Sequence, residues 1–134
     1  MALTVQQSTK ELARIADIAY EGETIKVALC NVGSTGYTAE TTVTNWLTTE
    51  LSGNGYARYS LVLSTGSYDS GDARYEIPYF DATFTASGSG FSYDRVVVYV
   101  DGATYPHSVL TENPNITLVP GQSRTYRIQL VVDD

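Results

Sequence analysis

The chain has 134 residues, a length that fits one domain and suffices to bury a core without disulfides or a structural metal. Its 43% hydrophobic and 17% charged residues exclude a disordered chain and a charged helical one. The net charge of −7, with only 8 basic residues scattered along the chain, argues against a nucleic-acid partner, whose affinity comes largely from Lys and Arg neutralising phosphates.

Cys30 is the single cysteine and cannot form an internal disulfide, so nothing demands an oxidising compartment. The start, from Met1 to Val5, lacks the basic and apolar regions of a secretory signal. No apolar run approaches the roughly 20 residues that span a bilayer. The expectation is a soluble protein made in a cytoplasm, with no membrane partner.

In chain order, Ser8-Thr9-Lys10-Glu11 reads as a capping box. Leu12, Ile15, Ala16 and Ala19 then recur at helical spacing, and Gly22 follows as a stop, which predicts a helix over about 9–20. Ile25 to Val32 reads as an interior strand with Ile25, Val27 and Leu29 on one face and Ala28, Cys30 and Val32 on the other. Cys30 is then a small buried hydrophobe. After a loop from Gly33 to Tyr37, the spacing of Val43, Trp46, Leu47 and Leu51 predicts a short helix over Thr42 to Leu51, although the run is rich in Thr.

Gly53-Asn54-Gly55 is a turn signal. Tyr56 to Leu63 alternates, with Ala57, Tyr59, Leu61 and Leu63 inward and Tyr56 and Arg58 on the other face. Ser70-Gly71-Asp72 is a second turn, and Pro78 keeps the stretch before Phe80 near an edge or bulge. Phe80, Ala82, Phe84 and Ala86 alternate with polar residues. Ser87-Gly88-Ser89-Gly90 is a loop, and Arg95 to Val100 is the most apolar run and the expected central strand. Pro120-Gly121 suits a type II turn before a last strand with Tyr126, Ile128, Leu130 and Val132 inward. Short strands between frequent turns predict a mainly β fold, a β-sandwich or barrel-like domain with an N-terminal helix and a second short helix. The whole chain, 1–134, reads as one domain, its β part covering about 24–133.

Reactive constellations are sparse. His107, the single histidine, sits beside Pro106 in an expected surface loop, and no motif makes it catalytic. With one Cys and one His far apart, zinc is not expected. Tyr68-Asp69-Ser70-Gly71-Asp72 faintly resembles a calcium loop but lacks a full ligand set, and reads as a hairpin turn with polar caps. Acidic pairs such as Glu50 and Asp72 read as surface charge rather than as glycosidase carboxylates. No catalytic residue, metal or cofactor is expected. The 11 Tyr residues, with Tyr56, Tyr59, Tyr68, Tyr75 and Tyr79 close in sequence, admit three readings: a sugar-stacking surface, an assembly interface, or cross-strand pairing within a sheet.

The run Glu50-Leu51-Ser52-Gly53-Asn54-Gly55-Tyr56-Ala57-Arg58 resembles a signature of small structural proteins of tailed bacteriophages, labelled tail-fibre-like or virion structural proteins. The order of the neighbouring segments, from about Thr9 onward, is similar as well. Phe91-Ser92-Tyr93-Asp94 and Val98-Tyr99-Val100-Asp101 depart from it, where relatives carry Trp-Gly and Gly-Leu-Phe-Asp. Read physically, Gly53 and Gly55 allow a tight reversal that a side chain would block, and Arg58 is expected to pair with a carboxylate, Glu50 or one on a neighbouring subunit.

The resemblance implies a non-enzymatic virion protein, assembled in the host cytoplasm, whose partners are other virion proteins. Two positions follow: a capsid cement or decoration protein on the major capsid protein, or a tail, baseplate or tail-fibre component contacting host carbohydrate. A compact acidic domain without fibrous repeats fits decoration better. Decoration implies a closed homo-oligomer, a trimer first, with Tyr37, Trp46 and Tyr105 as candidate interface anchors.

Overall fold

The computed structural model describes residues 22–33, 36–38, 40–63, 67–69, 71, 74–76, 79–128 and 131–133. The helix expected over 9–20 lies outside the described residues. The fold is mainly β: among the described residues it has strands β1 (Thr24–Cys30), β2 (Tyr59–Val62), β3 (Ser67–Asp69), β4 (Arg74–Glu76), β5 (Phe80–Thr85), β6 (Phe91–Val100), β7 (Ser108–Leu118), β8 (Ser123–Ile128) and β9 (Val131–Asp133), and one five-residue helix, α1 (Val43–Leu47). They form a four-stranded sheet in the order β2-β1-β6-β7, a three-stranded sheet β3-β4-β9 and a two-stranded ribbon β5-β8. The chain divides into two compact units, the larger made of Thr24–Leu61 and Asp81–Tyr126. In the smaller unit, β3 and β4 form an antiparallel hairpin whose register sets Tyr68 opposite Tyr75, and β4 pairs in turn with β9.

The larger unit is organised around β1 and β6, the two strands with continuous apolar runs. They pair antiparallel with Val27 opposite Val98, Ala28 opposite Val97 and Leu29 opposite Val96. Opposite residues share a face, so the register sorts the side chains into two cores. Ala28, Cys30, Val97 and Tyr99 join Val32, Val43 and Trp46 on the side covered by α1. On the opposite face Ile25, Val27, Leu29, Val96 and Val98 are buried as well, and a ring cluster forms in the same unit, with Phe84 of β5 and Tyr126 of β8 6.5 Å apart and Tyr126 6.4 Å from Tyr93 of β6. A sheet covered on both faces requires strands that are apolar throughout, as the sequence of β1 and β6 anticipates.

The helix is shorter than its periodicity predicts. Thr42 caps it, accepting the Asn45 N–H at 3.3 Å. It stops because Thr48 and Thr49 turn their hydroxyls back onto the carbonyls of Asn45 and Trp46, at 2.6 and 2.7 Å. The chain then runs extended against β1, where Asn31 N–H donates to Thr49 and Leu51 N–H to Leu29. Sheet pairing overrides the weak helical propensity of this Thr-rich run.

Two strand expectations need correction. The strand predicted from Tyr56 begins at Tyr59, and Ala57 is exposed. The last strand is two, β8 and β9, which belong to different sheets. Strand β7, to which the sequence pattern assigns no element, is an edge strand carrying Pro114, and its polar, Pro-containing sequence is what an edge tolerates.

Trp46 is fully buried, donates its indole N–H to Thr38 carbonyl at 3.3 Å, and receives the edge of Tyr37 at a centroid distance of 5.1 Å. It fills the core between α1 and β1 and is no surface anchor. Trp46→Ala is expected to lower unfolding free energy by about 3–5 kcal/mol, measured by urea titration. A loss below about 1 kcal/mol would mean that this side of the sheet is loosely packed.

Candidate functional site

Two constellations in the larger unit concentrate polar chemistry. The first is the Glu50–Arg58 segment. Strand β2 begins at Tyr59, so the Leu29 N–H of β1 points to where the segment's loop runs rather than to a strand. It donates to the phenol oxygen of Tyr56 at 3.1 Å. That hydroxyl donates onward to Glu50 Oε2 at 2.5 Å. Arg58 grips the same carboxylate with two donors, Nε at 2.8 Å and Nη2 at 2.5 Å. The planar guanidinium matches the carboxylate edge, which fixes direction as well as charge. The Tyr56 ring stacks on Phe84 and meets Phe91 edge-on, both at 6.1 Å.

Arg58 thus pairs with Glu50 of its own chain, and Glu50 is an anchor rather than a surface charge, with a side chain only 13% exposed. Tyr56 faces the core, opposite to the alternation read from sequence, because its hydroxyl completes the hydrogen bonding of β1. Burial works against the ionised Glu50, but the hydrogen bonds from Arg58 and Tyr56 outweigh it and hold the carboxyl below its ordinary value. Burial and the adjacent Glu50 carboxylate keep the Tyr56 phenol protonated.

The two glycines differ. Both have positive φ, +75° at Gly53 and +84° at Gly55. A Cβ at Gly53 meets open space, whereas one at Gly55 would lie 2.6 Å from Ser87 Oγ and 3.0 Å from Ser87 N and Thr85 O. The expectation that a side chain would block the reversal therefore holds sterically for Gly55; Gly53 is needed only for its backbone conformation.

The second constellation was not anticipated. Strands β6 and β7 fall out of step at Asp94: Tyr93 faces Ile116 while Arg95 faces Thr111, so residues 112–115 stand opposite Asp94 alone. This wide bulge opens a cleft of about 460 Å³ lined by Asn31, Asp94, Arg95, Glu112, Asn113 and Asn115 among others. Asp94 is buried and accepts the N–H groups of Val32 at 2.9 Å and Gly33 at 2.8 Å, so it caps the end of β1. Arg95 Nη1 lies 3.5 Å from Asp94 Oδ2 and donates to the Asp94 carbonyl at 3.0 Å. Glu112 Oε2 accepts from Arg124 Nη2 at 3.2 Å and from the Tyr126 hydroxyl at 3.3 Å, which in turn accepts from the Tyr93 hydroxyl at 2.6 Å. Its residues carry no motif in the sequence, where Pro114 merely interrupts a polar stretch.

The remaining candidates fall elsewhere. Cys30 is buried, donates weakly to Trp46 carbonyl at 3.4 Å, and burial pushes its thiol up to about 11, as suits a small core hydrophobe. His107 lies in the exposed loop before β7, 3.3 Å from Ser108 Oγ. Tyr105 is 54% exposed and Tyr37 half-buried against Trp46. Asp69 of the calcium-like run lies in β3, while residues 70 and 72 are outside the described residues. Among the described residues no three His, Cys, Asp or Glu side chains converge as metal ligands.

Because the folded state holds Glu50 below its ordinary value of 4.5, its stabilising contribution is full above that pH and lost as pH falls through the folded value. Wild type is expected to lose stability more steeply below pH 4.5 than Glu50→Gln, measured by urea midpoints across pH 2.5–7; parallel profiles would contradict the assignment. No family model, curated protein or solved structure matches the chain, so the functional reading rests on this geometry and on the residues of the Glu50–Arg58 segment.

Proposed function

We propose that this chain is a non-enzymatic structural protein of a tailed-bacteriophage virion, a cement protein that decorates and reinforces the head shell. The observation that carries the reading is the use made of the Glu50–Arg58 segment. Its carboxylate, phenol and guanidinium are spent on one another and on the Leu29 N–H. The residues on which the resemblance rests therefore act as architecture, as a protein that works by shape and contact requires.

A cement protein contributes through buried area multiplied over many copies, and interfaces of that kind bury an aromatic and apolar centre within a polar rim. Tyr105 and Leu110, 54% and 47% exposed, flank the start of the edge strand β7 and offer such a centre. With Trp46 withdrawn into the core, Tyr105 is the strongest of the three anchors expected from sequence. A closed trimer on a shell symmetry axis is the arrangement proposed.

The test uses phage particles lacking the protein, heated while a DNA dye reports genome release. The expected result is release at a lower temperature than wild type, with restoration by added wild-type protein and weaker restoration by Tyr105→Ala, for which an interface anchor costs on the order of 2 kcal/mol per site. Unchanged release, together with recovery of the protein only in purified tails, would overturn the cement reading in favour of a tail component.

A further inference from the structure

The cleft at the β6–β7 bulge has no part in the architecture of the Glu50–Arg58 segment or in the proposed shell contact. We propose that it is a binding site for a neutral polyhydroxylated ligand, a saccharide.

Charge balance comes first. The two carboxylates at the cleft, Asp94 and Glu112, are each answered by a guanidinium: Arg95 lies 3.5 Å from Asp94 and Arg124 lies 3.2 Å from Glu112. An anionic ligand would meet both carboxylates and a cationic one would meet Arg95. A neutral ligand meets a lining whose charges cancel.

Unspent hydrogen-bonding capacity comes second. The Arg95 side chain is only 16% exposed, yet among the described residues its hydrogen bond and ion pair all run through Nη1. Its Nε–H and Nη2–H groups thus have no protein acceptor there and stay accessible to solvent, donors open to water or to a ligand. The amides of Asn31, Asn113 and Asn115 line the same cleft and make no side-chain hydrogen bond among the described residues. Each offers a donor and an acceptor side by side. Sugar hydroxyls, which donate and accept from one atom, match such a mixed lining. The volume, about 460 Å³, falls within the roughly 300–1,000 Å³ of small-molecule sites.

The wall is also built to last. Asp94 holds β1 through two backbone N–H groups, and Glu112 is tied through Tyr126 to Tyr93 in the ring cluster. Two of the cleft's polar side chains are therefore positioned by the core before any ligand arrives, which lowers the ordering cost of binding.

The experiment applies the intact protein to an array of neutral and acidic oligosaccharides, followed by titration calorimetry with whichever neutral sugar is retained best. The expected result is retention of neutral sugars, with affinity lowered at least about tenfold by Asn113→Ala and by Arg95→Met, the scale of one or two lost hydrogen bonds. Tyr105→Ala, outside the cleft, should bind as wild type. Asn113→Ala removes an exposed amide without a protein partner, so its fold should be intact, checked by an unchanged urea midpoint. Retention of acidic sugars only, absence of any retained sugar, or binding undiminished in Asn113→Ala would each overturn the proposal. None of these outcomes bears on heat-induced genome release, so this test and that of the cement reading fail separately.

Discussion

The larger unit depends on satisfying one strand that is buried on both faces. Every N–H and C=O of β1 must find a partner inside the protein, because water cannot reach it. Strand β6 serves one side along the whole length. The other side is served piecemeal: β2 at the start, Leu51 and Thr49 backbone at the end, and, at Leu29, a tyrosine hydroxyl where a strand would otherwise be. A phenol held by a carboxylate, itself held by an arginine, does the work of one rung of a ladder.

The same logic recurs one turn of chain later. Beyond Cys30 the N–H groups of Val32 and Gly33 are capped by the Asp94 carboxylate. Asp94 can reach them because it stands alone on β6 while β7 bulges away, and that bulge is what opens the cleft. Completing β1 and creating a polar cavity are thus two consequences of one irregularity. Gly90 shows the same economy at the other end of β6: with φ +78° its missing Cβ would lie 2.4 Å from the Leu118 carbonyl, so the hairpin partner strands close only around a glycine.

What was legible in the sequence follows from how strongly each residue's environment is dictated by its own chemistry. Strands β1 and β6 announced themselves because both faces are buried, and an unbroken apolar run has few other homes. Cys30 was legible for the same reason. The Arg58–Glu50 pair was legible as one of two options, since charge names the partner type but not the partner. Illegible were features set by long-range geometry. The helix gave way after Leu47 because β1 competed for the following residues, which no local period records. Tyr56 turned inward because an N–H 27 positions earlier needed an acceptor. Strand β7 hid behind Asn, Glu and Pro, residues that an edge with a wide bulge tolerates and a regular interior strand does not. The cleft could not be read at all, since its residues come from the segment after β1, from β6 and from β7, and meet only through a register shift.

The central claim is that the Tyr56 hydroxyl substitutes for a strand at Leu29. Amide hydrogen exchange read at single-residue resolution tests it directly, comparing wild type with Tyr56→Phe, which keeps the ring and its stacking but deletes the oxygen. The account predicts a Leu29 amide that is strongly protected in wild type and exchanges much faster in the variant, while the amides of Val97 and Val98 on β6 keep their protection. A Leu29 amide equally protected in both proteins would contradict it.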